Sequence, residues 1–168
     1  IPFRAVATDL ISGEQVVFSE GPLREAIMTS SAVPGAIEPS KMGDMLLSDG
    51  GIISLVPVNA ARKEGADIVI AVNITRGIFS EDELETAQEI SDRASDISSY
   101  HLTNYELARA DIVIRPNVGN LHWSVFSHAG TLIAEGEKAA RSSIPDIRMS
   151  IPLLRKWFAK DKKQNIAN

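Results

Sequence analysis

The run DIVIAVNI, residues 67–74, constrains the fold more than any other stretch of the chain. It is almost continuously apolar and rich in β-branched side chains, the pattern of a strand covered on both faces. Just upstream, PVNAARKEG (57–65) reads as a helix opened by Pro57 and closed by Gly65. Before that, DMLLS (44–48) is a short strand. Strand, helix, strand in this order predicts a βαβ unit with parallel strands and a right-handed crossover. A later run, DIVIRP (111–116), predicts another buried strand stopped by Pro116. The expected class is therefore α/β.

The flanks fit that class. Residues 3–9 and 14–19 predict two strands, and Ser12-Gly13 between them supplies the turn of a β-hairpin. GPLREAIMTSS predicts a short helix with Pro22 at its first position, where the missing N–H costs nothing. Pro34 and Gly35 then end the helix and begin a loop. The longest helix is expected to begin near Ser80, with SEDE (80–83) as a capping box. Its inward stripe is read as Leu84, Ala87, Ile90, Ala94, Ile97, His101, Tyr105 and Ala108, in steps of three and four. Two terminal helices are expected within about 131–163, with Pro152 kinking or splitting the second. No repeat, low-complexity tract or second core is evident, so 168 residues form part or all of one domain.

Composition narrows the function. There is no cysteine, which excludes disulfides and thiolate zinc sites. The net charge of -5 argues against nucleic acid, which needs a basic footprint. No run approaches the ~18 apolar residues of a spanning helix, and no signal peptide is visible. A cytoplasmic protein is expected. Its basic end, LLRKWFAKDKK (153–163), is either a membrane-surface helix or an ordinary terminal helix with one packed face. The chain opens directly into a strand at residue 3. That suggests a chain that begins inside a larger protein, or one whose initiator has been removed.

Chemistry concentrates on one acid. In MLLSDGGIISLVP (45–57), Asp49 follows a strand and precedes Gly50 and Gly51. It is either a turn residue or a carboxylate held at the mouth of a sheet, where α/β proteins bind ligands. The two glycines allow a sharp turn or a close approach by another chain. A D-x-D pattern for magnesium is missing, and so is the G-x-S-x-G elbow of a serine nucleophile. Ser30 and Ser31 lie at a helix end without flanking glycines and read as capping or loop serines. His101 reads as a core histidine. His122 and His128, six apart in a loop, match no common helical metal pair.

Taken in order, ATDLISGEQVVFSEGPLREAIMTSSAVPGAIEP, LLSDGGIISLVPVNAARKEGADIVIAVNI and ARADIVIRPNV resemble the patatin-like phospholipase family over roughly residues 3–142. The resemblance implies a three-layer α/β/α fold with a mainly parallel central sheet plus a β-hairpin. It also implies a serine acyl hydrolase of lipid esters that uses a Ser–Asp dyad and needs no cofactor or metal. Asp49 matches the dyad base, within the motif Asp49, Gly50, Gly51. The family's oxyanion loop and G-x-S-x-G segment normally precede the hairpin, and both are absent from this sequence. Ser54 stands where relatives often carry Asn. The chain, 1–168, is thus expected to be the C-terminal part of one patatin-like domain, inactive alone. Its expected partners are a lipid or acyl ester and either the missing N-terminal segment or a second copy of itself. The competing expectation is a non-catalytic α/β interaction or regulatory module that binds around 117–130.

Overall fold

A computed structural model describes residues 2–75, 77–78, 84–119, 121 and 125–151. The expected hairpin is present, as β1 (Ala5–Asp9) and β2 (Gln15–Phe18). Its turn is organised by Asp9, whose carboxylate accepts from the Ser12 hydroxyl at 2.7 Å and from the Ile11 N–H at 3.2 Å. The same carboxylate accepts the Leu46 N–H at 3.0 Å, so it also ties the hairpin to the next strand inward. These donors hold the buried Asp9 carboxyl below the usual aspartate range, the Ser12 hydroxyl foremost.

Helix α1 (Leu23–Ser30) follows. Pro22 is its cap rather than its first residue; its backbone is extended, and its carbonyl accepts the Ala26 N–H. Strands β3 (Ser40–Met42) and β4 (Met45–Asp49) complete a four-stranded sheet in the order β2-β1-β4-β3, antiparallel throughout. Small side chains let α1 sit close to this sheet: Ala7, Ala26, Ala32, Thr29 and Ser48 are buried around Leu47.

Helix α2 (Val58–Lys63) is opened by Pro57, as expected. At its other end Gly65 has φ +93°, a left-handed conformation costly for any residue with a Cβ. The Ala66 N–H reaches back to the Ala61 carbonyl and the Gly65 N–H to that of Arg62, which caps the last carbonyls. Strand β5 (Ile70–Val72), helix α3 (Ala87–Leu107) and strand β6 (Ile112–Ile114) come next. Strands β5 and β6 pair in parallel, Ile70 with Ile112 and Val72 with Ile114. The helical crossover that a parallel pair requires is therefore α3. This corrects the expected βαβ unit, because β4 and β5 lie in different sheets and α2 does not connect a parallel pair. The mainly parallel sheet is also not what the described residues form: four strands are antiparallel and one short pair is parallel. Val56, Val58, Val69, Ala71 and Leu107 form a core between α2, α3 and the parallel pair.

Helix α3 differs from expectation in two ways. Ser80 and Glu83 lie outside the described residues; the capping box that starts this helix is Thr86 with Glu89. The inward face is not the predicted stripe. Thr103, Glu106 and Leu107 are buried, whereas Ile90, Ile97 and Tyr105 of the predicted stripe are exposed. His101 is exposed too, against the edge of the neighbouring Tyr100 ring, and is not a core histidine. Downstream, α4 (Ala129–Ser150) is a single helix that runs through Pro145. Pro152 and the basic end lie outside the described residues.

Candidate active site

Asp49 is the last residue of β4, and its backbone is fixed from both sides. Its N–H donates to the Ala32 carbonyl at 3.1 Å, and its own carbonyl accepts the Thr8 hydroxyl at 3.0 Å. The Ser48 hydroxyl donates to the same Ala32 carbonyl at 2.7 Å. The end of β4 is thus pinned to β1 on one side and to the start of the Pro34-Gly35 loop on the other.

The side chain is half held. Asp49 Oδ1 accepts the Gly51 N–H at 2.6 Å, as the cap of the short 3-10 turn Gly50–Ile52. No hydrogen bond within the described residues engages Oδ2. The turn role expected of Asp49 is therefore filled by Oδ1, while Oδ2 takes no hydrogen bond from the described residues. The glycines explain how. Neither has a positive φ. A Cβ on Gly50 would stand 2.4 Å from the Val6 carbonyl oxygen, so the close approach is by the chain's own β1. A Cβ on Gly51 would stand 3.0 Å from Asp49 Oδ1.

Asp49 lines a hollow of about 450 Å³. Phe3, Val6, Ile27, Leu55 and Pro57 give it apolar walls; Ser30, Ser31 and Ser54 add hydroxyls. Ser31 caps α1, its hydroxyl donating to the Ile27 carbonyl at 2.8 Å, which is the role read for it from sequence. Arg4, at the rim, is paired with Glu64. No cluster of His, Asp or Glu suited to a metal occurs among the described residues. His128 caps α4 with its ring against the Ser127 hydroxyl, and His122 lies outside the described residues.

Sequence reasoning missed the support behind the hollow. Ser54 is buried and donates its hydroxyl to Glu106, near the end of α3. Asn59 Nδ2 donates to the other Glu106 oxygen at 3.1 Å. Arg109 joins through Asn59 Oδ1 at 2.9 Å and the Tyr105 hydroxyl at 2.6 Å, stacked over the Tyr105 ring. Nothing in the local pattern marks Glu106, because a polar residue between apolar ones reads as solvent-facing.

The hollow thus brings a carboxylate, hydroxyls and apolar walls together. The patatin-like phospholipase family profile matches residues 2–62, from the hairpin through α2. An uncharacterized NTE family protein of Mycobacterium tuberculosis is 46% identical over 74 residues, 44% of this chain and 21% of the relative. A second such protein of that organism is 26% identical over 172 aligned residues, 86% of this chain and 30% of the relative. Patatin-like phospholipase domain-containing protein 7 of Rattus norvegicus is 32% identical over 77 residues, 44% of this chain and 6% of the relative. The chain thus spans 30% or less of the length of these relatives. Over residues 2–62 it is similar to the patatin-like phospholipase family, and over longer stretches to NTE family proteins.

Proposed function

We propose that this chain forms the C-terminal part of a serine acyl hydrolase of lipid esters, with Asp49 as the base of a Ser–Asp dyad. The observation that carries the reading is the divided carboxylate: Oδ1 is held by Gly51, while Oδ2 keeps an unused lone pair beside an apolar-walled hollow. In the reaction, a serine hydroxyl supplied by upstream polypeptide donates its proton to Oδ2. Its oxygen attacks the ester carbonyl, and the tetrahedral oxyanion collapses to an acyl-enzyme as Asp49 returns the proton to the departing alkoxide, which leaves as the alcohol. Water then repeats the sequence and releases the fatty acid, with Asp49 again taking the proton. A carboxylate is a weak base for a hydroxyl, so direct contact and exclusion of water are essential. Oxyanion donors, worth ~3 kcal/mol each, come from the upstream part as well.

The same polypeptide completes the sheet. Among the described residues β5 pairs only with β6, and a strand added at its other edge gives the three-layer, mainly parallel architecture that the family resemblance implies. A second copy of the chain is the competing occupant. No described helix is long and apolar enough to cross a membrane; we place the enzyme in the cytoplasm, working at the membrane surface where its substrate lies.

The test uses the longer protein that contains the upstream segment. Wild type should hydrolyse short p-nitrophenyl esters, and Asp49→Asn should lower kcat by about a thousandfold or more. Undiminished turnover in that variant refutes the dyad role. If no version hydrolyses esters, the chain is better read as an interaction module, with the exposed Phe126 region as its contact surface.

A further inference from the structure

Asp9 and Glu106 are the two buried acids among the described residues. Asp9 spends its hydrogen bonds on its own hairpin and on β4. Those of Glu106 reach across the fold, to Ser54 and Asn59, 52 and 47 residues earlier in the chain. Both donors are neutral. A buried carboxylate is a poor source of stability, and an apolar side chain of similar size often does as well. What it does supply is direction, because its two oxygens accept from two donors on separate parts of the chain.

The direction matters because of where Ser54 sits. The segment from Asp49 to Ser54 is one closed unit. The Gly51 N–H donates to Asp49 Oδ1, and the Ile53 and Ser54 N–H groups both donate to the Gly50 carbonyl, at 3.2 and 2.9 Å. Ser54 ends this unit, lines the same hollow as Asp49, and is tied by its side chain to Glu106. Asn59 extends the tie to the first turn of α2, and Arg109 steadies Asn59 from its far side. The segment is thus anchored at one end by Ala32 and Thr8, through the Asp49 backbone, and at the other by Glu106, through the Ser54 hydroxyl.

We infer that Glu106 is a positioning residue for Asp49: through Ser54 it holds the turn after β4, so that Asp49 Oδ2 keeps one orientation in the hollow. This rests on the proposed dyad role of Asp49. It assigns to α3 a part in the chemistry, although no α3 residue lines the hollow.

The experiment compares Glu106→Ala, Glu106→Gln, Ser54→Ala and Asp49→Asn in the longer protein, reading kcat and KM on a short acyl ester beside the thermal midpoint. Misplacement of a catalytic group by an ångström can cost about a hundredfold. Glu106→Ala and Ser54→Ala should each lower kcat roughly tenfold or more with KM within about twofold. Glu106→Gln, which keeps an acceptor for the Ser54 hydroxyl, should recover most of the loss. Should Glu106→Ala fail to fold, Ser54→Ala decides alone. Wild-type kcat in both Glu106→Ala and Ser54→Ala, with Asp49→Asn inactive, overturns this inference and leaves the dyad standing. An active Asp49→Asn overturns the dyad and this inference together. A loss in Glu106→Ala that Gln does not relieve, with wild-type kcat in Ser54→Ala, also overturns it.

Discussion

At the scale of single residues, the two glycines after Asp49 do different work. Gly50 is demanded by backbone: its added Cβ would meet the Val6 carbonyl oxygen at 2.4 Å and carbon at 2.8 Å, and neither can swing aside. Gly50→Ala should cost about 2 kcal/mol or more, read by denaturant unfolding. Gly51 is demanded by the site. Its Cβ would meet the end of the flexible Leu55 side chain and the Asp49 carboxylate itself. Gly51→Ala should spare most of the stability and lower turnover in the longer protein, which a comparison of unfolding with esterase assays would separate. Asp9 gives the pH dependence. Its folded carboxyl titrates below the ordinary aspartate value, because the Ser12 hydroxyl and the backbone N–H groups of Leu46, Ile11 and Ser12 favour the charged form. The stability from this group is therefore complete above its ordinary value. It is lost as pH falls below about 4 and through the depressed folded value. Thermal midpoints should fall with acid over that range, and Asp9→Asn should flatten part of the fall. Asp49-Gly50-Gly51 was readable from residue types alone; Glu106 was not, since its partners lie 47 and 52 residues away.

At the scale of elements, ends were more legible than faces. Pro57, Gly65 and Pro116 mark boundaries in the structure as they do in the sequence, because proline and glycine act on their own backbone whatever surrounds them. Helix α3 starts at its capping box, where the Thr86 hydroxyl accepts the Glu89 N–H and Glu89 reaches back to the Thr86 N–H. Thr86→Ala should cost roughly 1 kcal/mol, measurable as a lowered thermal midpoint. The face this helix buries could not be read. A three-and-four spacing of apolar residues predicts which side meets a partner, not whether that partner lies within the same 168 residues. Here α3 turns Thr103 and Glu106 toward its neighbours and Ile90 and Ile97 outward. Pro145 is the converse case. A strong local signal is overridden, and α4 continues through it.

At the scale of the whole molecule, the described residues leave several large apolar side chains exposed. Ile90, Ile97 and Tyr105 on α3, with Val72 and Ile74 at β5, present apolar area away from the hollow, and the relatives are more than three times as long as the aligned region. The chain alone should bind a hydrophobic dye such as anilinonaphthalene sulfonate. The longer protein should bind severalfold less per mole, and equal binding by the two would argue against burial of these faces by upstream polypeptide. The amino-acid sequence by itself determined the element ends set by proline and glycine, which acid sits at a strand end, and which family the ordered motifs resemble. All of these depend on residues within a few positions of one another. Only the tertiary structure decided that β5 pairs with β6 rather than β4, that α3 buries Thr103, Glu106 and Leu107 rather than the predicted stripe, and that Glu106 meets Ser54 beyond Asp49. Pairing and burial are settled by whichever surfaces meet, and those surfaces are distant in the chain.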